Sequence, residues 1–161
     1  MLYPLQRLGD APHELMPEPV RELYEEAAAV AMVSRRAGAA LARATVERLL
    51  KHLDPDAKQA NLETRIERIS QRVSTPLGQQ LDIVRIAGNG AVHPKDEPDE
   101  IVVIALSDED GPALLELLLD TANQLVDELI ARPARTQNLW DRLPQWLKDK
   151  RRPAEESQEI A

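Results

Sequence analysis

Aliphatic side chains recur at spacings of three and four residues along most of this chain, and that rhythm commits it to amphipathic helices stacked on one another. Val20, Leu23, Tyr24, Ala27, Ala28, Ala31 and Met32 mark one stripe. Pro17 and Pro19 suit its start, because a first-turn N–H has no intrahelical partner to lose, and Glu18 meets the positive end of the helix dipole. Ser34 ahead of Gly38 reads as a break and a new cap. A second stripe follows at Ala39, Leu41, Ala42, Val46, Leu49, Leu50 and Leu53, and Asp54-Pro55 stops it. Asn61 caps a third helix through Leu62, Ile66, Ile69 and Val73, with Arg65, Arg68 and Arg72 on its outer side beside Glu63 and Glu67. Ser74-Thr75-Pro76 opens a fourth through Leu77, Leu81, Val84 and Arg85, and Gly88-Asn89-Gly90 stops it soon after Ile86. The spacing predicts helices over 18–33, 36–53, 61–73 and from 75 into the glycine cluster.

Residues 94–100 read as an exposed polar loop. Ile101 to Leu106 is the one β-like hexamer; with nothing to pair with, it is expected as a buried extended segment or a strand at a dimer edge. Ala113 to Ile130 is the most apolar stretch and is apolar on more than one face. Such a helix is the centre of a bundle or builds a dimer seam. Pro133 is expected to end it, and a short amphipathic stretch around Leu139, Trp140, Leu143, Trp146 and Leu147 follows. The expected fold is all-α: an antiparallel bundle of five to six helices in one domain over residues 17–147. An irregular lead-in, residues 1–16, packs as a strap or frays, and a charged tail, residues 148–161, is expected to be disordered. The length of 161 residues fits one domain. Phe is absent and aromatic residues make up 2%, so the core must be aliphatic.

The chain has no Cys, which excludes disulfides, thiolate metal sites and a cysteine nucleophile. No apolar run approaches the ~20 residues of a membrane span, and no basic leader opens the chain, so a cytoplasmic protein without a membrane partner is expected. A formal charge of −8 repels polyanions, so contact with nucleic acid would need a local basic site. Arg35-Arg36 and Arg65-Arg68-Arg72 are the candidate clusters, but their interleaved glutamates favour a solvated face. His13, His52 and His93 are scattered without metal-ligand spacing, and no phosphate-binding glycine loop follows a strand; neither metal nor cofactor is expected.

One segment stands apart, Asp82 to His93. Arg85 and His93 are the pair suited to RNA cleavage without a metal. An imidazole takes the proton from a 2′-hydroxyl or returns one to the leaving 5′-oxygen, and a guanidinium neutralises charge growing on phosphorus. Asn89, in the glycine-flanked bend, would orient the ring. The structural alternative is equally concrete: a helix stop at Gly-Asn-Gly, and an ion pair between Arg85 and Asp82 three residues before it. Arg43 and Glu47 form either an ordinary i,i+4 pair on the second helix or a buried pair beside the bend that offers Arg43 to a phosphate or partner. Trp140 and Trp146 are expected to cover the end of the bundle rather than to stack bases.

Glu25-Glu26-Ala27, Ala42 to Glu47, Leu81 to His93, Ala122 to Val126 and Leu143-Pro144 together resemble a domain-of-unknown-function family that occurs alone and beside type I restriction-endonuclease subunits. The most specific piece is the R-x-x-G-N-x-A-x-H string at Arg85, Gly88, Asn89, Ala91 and His93. That family is similar to the HEPN superfamily. The resemblance implies an antiparallel helical bundle, frequent homodimers and, in active members, R-x(4 to 6)-H for metal-independent RNA cleavage at the dimer interface. Here seven residues separate Arg85 from His93, and Gly88 stands where many active members carry the arginine beside the asparagine. The expectation is a non-catalytic HEPN-like binding and dimerisation module in a prokaryotic or phage defence setting, a homodimer with an RNA or protein partner. A metal-independent endoribonuclease is the open alternative.

Overall fold

The computed structural model describes residues 8–89 and 111–150, the side chains of 87–89 excepted. His93, the loop 94–100, the apolar hexamer 101–106 and the tail beyond residue 150 lie outside the described residues. Among those described, every regular element is helical: α1 Glu18–Val30, α2 Arg35–Leu53, α3 Leu62–Ser70, α4 Thr75–Asn89, α5 Gly111–Val126, a π-helical turn Asp127–Ala131, α6 Arg132–Arg142 and α7 Gln145–Lys148.

The predicted punctuation is where the helices break. Ser34 caps α2, its hydroxyl oxygen accepting from the Ala37 N–H at 3.3 Å, and Asn61 caps α3, accepting from the Thr64 N–H at 2.9 Å. The Ser74 carbonyl accepts the first bond of α4 from the Gly78 N–H, while its hydroxyl donates to Glu128 Oε1 at 2.6 Å, tying the start of α4 to the π turn. Four boundaries differ from the sequence reading: α1 ends at Val30 rather than 33 and α3 at Ser70 rather than 73, and two further changes are larger. α4 runs through Gly88 to Asn89 rather than stopping near Ile86. Pro133 does not end the long helix: the backbone stays helical from Gly111 to Arg142, widening for one turn at Asp127–Ala131 and placing Pro133 in the first turn of α6. A widened turn shifts the hydrogen-bond ladder and leaves room where the proline ring lacks its N–H.

The core is aliphatic, as the composition requires. Leu118, Leu119, Ala122, Leu125 and Val126 of α5 pack with Ala42, Val46, Leu49 and Leu50 of α2, Val20 and Ala27 of α1, Ile66 and Ile69 of α3, and Leu77, Leu81 and Val84 of α4, and Leu115 is buried as well. Each fully buried leucine contributes about 1.5–3 kcal/mol. Helix α5 is therefore the central helix, and the stripe that might have formed a dimer seam is consumed within its own chain. Thr45 and Thr121 are buried with their hydroxyls donating to the carbonyls of Leu41 and Leu117.

Residues 8–16 form the strap. The Leu8 N–H donates to the Ala28 carbonyl, Tyr24 donates its phenolic proton to the Asp10 carbonyl at 2.8 Å, and Arg21 donates to the carbonyls of His13 and Glu14. Asn123 completes the fastening: its Oδ1 accepts from the His13 N–H at 2.8 Å and its Nδ2 donates to the Ala11 carbonyl at 3.0 Å.

The loop between α2 and α3 is organised by arginines. Arg65 is only 4% exposed and donates to the carbonyls of Ala60, Asp54 and Ala57. The expectation that Arg65 lies on the solvated side of α3 fails here, because three carbonyl acceptors replace the water it gives up. Arg68 forks onto Asp54, its Nη2 3.0 Å from Oδ1 and its Nε bonded to Oδ2. The Arg68 hydrogen bonds hold the Asp54 carboxyl below the usual carboxylate range against the opposing effect of burial, with Arg65 and Arg72 adding to the attraction.

Two outcomes follow from this packing. A Cβ at Gly38 would stand 2.6 Å from the Ala31 Cα, in the tight turn between α1 and α2, whereas a Cβ at Gly78 meets nothing within 4 Å. Gly38→Ala is expected to destabilise the protein by about 1–3 kcal/mol through overpacking, although alanine is the better helix former. Gly78→Ala is expected to stabilise it by about 0.5–1 kcal/mol. Urea titrations of the two variants check both signs. Asp54 has a folded pKa below its unfolded value of about 3.9, so its contribution is complete above that value and disappears as pH falls through the folded pKa. Urea midpoints measured from pH 7 down to pH 3 are expected to fall at the acid end, and Asp54→Asn is expected to lower the neutral-pH midpoint and flatten that fall.

Candidate functional site

Arg85 lies on α4 about one turn before the helix runs out of the described residues, and its guanidinium is occupied. Nη1 donates to Glu63 Oε1 of α3 at 3.1 Å, and Nη2 is 3.5 Å from Asp82 Oδ1 one turn earlier on α4. The side chain is one-third exposed, and its Nε is buried without a hydrogen-bond partner. The expected Asp82 pair is therefore present, and Glu63 joins it. Glu63 stands 22 residues from Arg85 in sequence, and no local spacing points to that pairing.

Both helices line a groove of about 580 Å³ that includes Glu67, Ser70, Ser74, Gly78, Asp82 and Arg85. Its position depends on the loop below it, since Arg65 and Arg68 fix where α3 begins and thereby where Glu63 meets Arg85. Hydroxyls, carboxylates and one guanidinium line this groove, and the single cation already faces two carboxylates. A phosphate entering here would have to displace at least one of them.

Asn89 is the last described residue of α4, four positions after Arg85. Gly88 accordingly does not bend the backbone between Arg85 and Asn89, and Gly90 lies outside the described residues. His93 lies outside the described residues. Arg43 and Glu47 sit on α2, which packs chiefly on α1 and α5, whereas α4 packs on α3 and α5. Glu47 is bridged by Lys51 at 3.2 Å, and the Arg43 Nε is buried without a hydrogen-bond partner. The structure thus brings Arg85, Asp82 and Glu63 together and leaves Arg43 and Glu47 on another element.

A second polar cluster was not foreseen. Asp127, in the π turn, receives Arg132 Nε at 2.9 Å and Arg135 Nη2 at 3.1 Å, with His13 Nε2 at 3.8 Å. The Arg135 hydrogen bond, opposed by burial and helped by Arg132, holds its carboxyl below the usual range. Together with Asn123 it explains why the strap passes over the end of α5. The sequence carries no local signal for this cluster, because Asp127, Arg132, Arg135 and His13 come together only in the fold.

The two tryptophans differ: Trp140 is 36% exposed and so largely covered, whereas Trp146 stands out from the bundle. α6 has no buried residue, Leu139 is 65% and Trp146 60% exposed, and Lys150 lies over the Trp146 ring at 5.0 Å. Among the described residues no group of three or more His, Asp or Glu is placed to hold a metal ion, and no helix is long and apolar enough to cross a membrane.

No curated protein and no solved structure matches the chain. Residues 25–142, well over half of it and spanning α1 to α6, match a domain of unknown function, and the chain belongs to that family, DUF4145.

Proposed function

We propose that this protein is a non-catalytic, HEPN-like binding and dimerisation module working in a prokaryotic or phage defence setting. The observation that supports this most is the pairing of Arg85 with Glu63 and Asp82. A guanidinium that is to meet a phosphodiester needs its fork open, and here two carboxylates fill it, leaving the trio with a formal charge of −1. In this arrangement Arg85 ties α3 to α4, and Gly88 and Asn89 of the R-x-x-G-N-x-A-x-H string continue α4. The overall charge of −8 acts in the same direction, since it disfavours a polyanionic substrate. Dimerisation is part of the same reading, carried from the HEPN resemblance.

The opposing reading makes His93 a general acid or base, Arg85 the phosphate ligand and Asn89 the residue that orients the ring. Incubation of single-stranded RNA with wild type and His93→Ala in EDTA separates the two. No cleavage by either is expected; cleavage by wild type that His93→Ala abolishes overturns the non-catalytic reading. A double-mutant cycle on Arg85→Ala and Glu63→Gln is expected to give a coupling of about 0.2–1 kcal/mol in stability, the range of exposed ion pairs; a coupling of zero removes the tie. Light scattering at micromolar concentration is expected to read twice the 18.0 kDa chain mass, and a species of 18.0 kDa alone removes dimerisation.

A further inference from the structure

The C-terminal arm, α6 with α7, presents large apolar side chains that are left exposed among the described residues. Leu139 and Trp146 are more than half exposed, Leu143 and Leu147 more than a third, and Leu15 of the strap, 47% exposed, shares a groove of about 430 Å³ with Leu139. Isolated exposed leucines are ordinary, but a run of them along one short amphipathic arm marks a surface built to be covered. The arm is also basic. Arg132, Arg135, Arg142, Lys148 and Lys150 outnumber Asp141 and Asp149 in a chain whose total is −8, so the remainder is more acidic than the total.

The complementary surface lies on the outer side of α5. There a cleft of about 560 Å³ is lined by Asp10, Glu116 and Asp120 with Tyr24, Ala113 and Leu117. The π turn relates the two. Asp120 and Leu139 are nineteen residues apart, as are Gln124 and Leu143, which in an unbroken α-helix leaves them about 100° out of line. A π turn holds one extra residue, and subtracting it brings the spacing to five whole turns. The outer face of α5 and the apolar edge of the arm therefore lie on one side of a helical backbone about 48 Å long.

We infer that this face is covered by a second copy of the chain, antiparallel, with the arm of each copy laid along the acidic cleft of the other; this deepens the dimerisation reading and rests on it. A two-fold axis at the π turn sets Arg142 level with Glu116 of the second copy, and Leu139 level with its Leu119 and Asp120. Opposite charges then meet at both ends, and the arm's leucines lie against Ala113 and Leu117. An arm cannot reach the cleft of its own chain, because both belong to one helical backbone and face the same way from opposite ends of it.

The test uses the full-length chain and light scattering at micromolar concentration, with thermal melts to confirm folding. Wild type is expected to be a dimer. Leu139→Asp and Glu116→Lys are each expected to shift it to the monomer mass without lowering the melting temperature of the monomer fold, and Glu116→Lys combined with Arg142→Glu is expected to restore the dimer. Because the chain has no Cys, a variant carrying both Asp120→Cys and Leu139→Cys reports the register directly: under mild oxidation it is expected to yield a reducible covalent dimer, and neither single variant is. A wild-type dimer that survives Leu139→Asp and gives no cross-link overturns this interface while leaving dimerisation intact. A monomeric wild type overturns both.

Discussion

Six aliphatic residues of α5, from Leu115 to Val126, are almost wholly withdrawn from water, and four other helices are arranged by the need to withdraw them. With no phenylalanine available, the core is filled by leucine, valine, isoleucine and alanine, whose small volumes force the backbones close. The approach of Gly38 to Ala31 is one result of that closeness. It lets α1 and α2 pack as a tight hairpin whose buried alanines would leave voids at a wider spacing.

Around this apolar centre the polar groups do positional work. Arg65 and Arg68 shape the loop that delivers α3, and α3 in turn delivers Glu63 to Arg85. At the opposite end Asn123 and Asp127 fasten the strap and steady the arginines that begin the arm. The same residue type is thus used as a buried hub for carbonyls, as a half-buried tie between helices and as a surface partner to a carboxylate. What differs among them is how much water each guanidinium has given up and how many acceptors replace it.

Much of this was legible in the sequence, because apolar spacing and cap residues act locally. The stripes of α1 and α2, the caps at Ser34 and Asn61 and the central place of α5 can all be read from neighbours within a turn or two. Contacts made across the fold could not. Periodicity assigns every charged residue to the outside, so the buried Arg65 was misplaced; its acceptors are backbone carbonyls, which sequence does not advertise. The Arg85 to Glu63 pair spans two helices and depends on their angle. Pro133 was read by its usual effect in an α-helix, and a π turn changes the ladder in which that effect arises.

One further consequence comes from where the aromatic residues sit. Both tryptophans, Trp140 and Trp146, stand on the arm, whereas the aliphatic interior holds Tyr24 as its aromatic member among the described residues. Indole emission excited at the red edge therefore senses the surroundings of the arm directly, and the interior only through the helical run that joins α5 to α6. The molecule carries a built-in optical reporter for its own outermost segment.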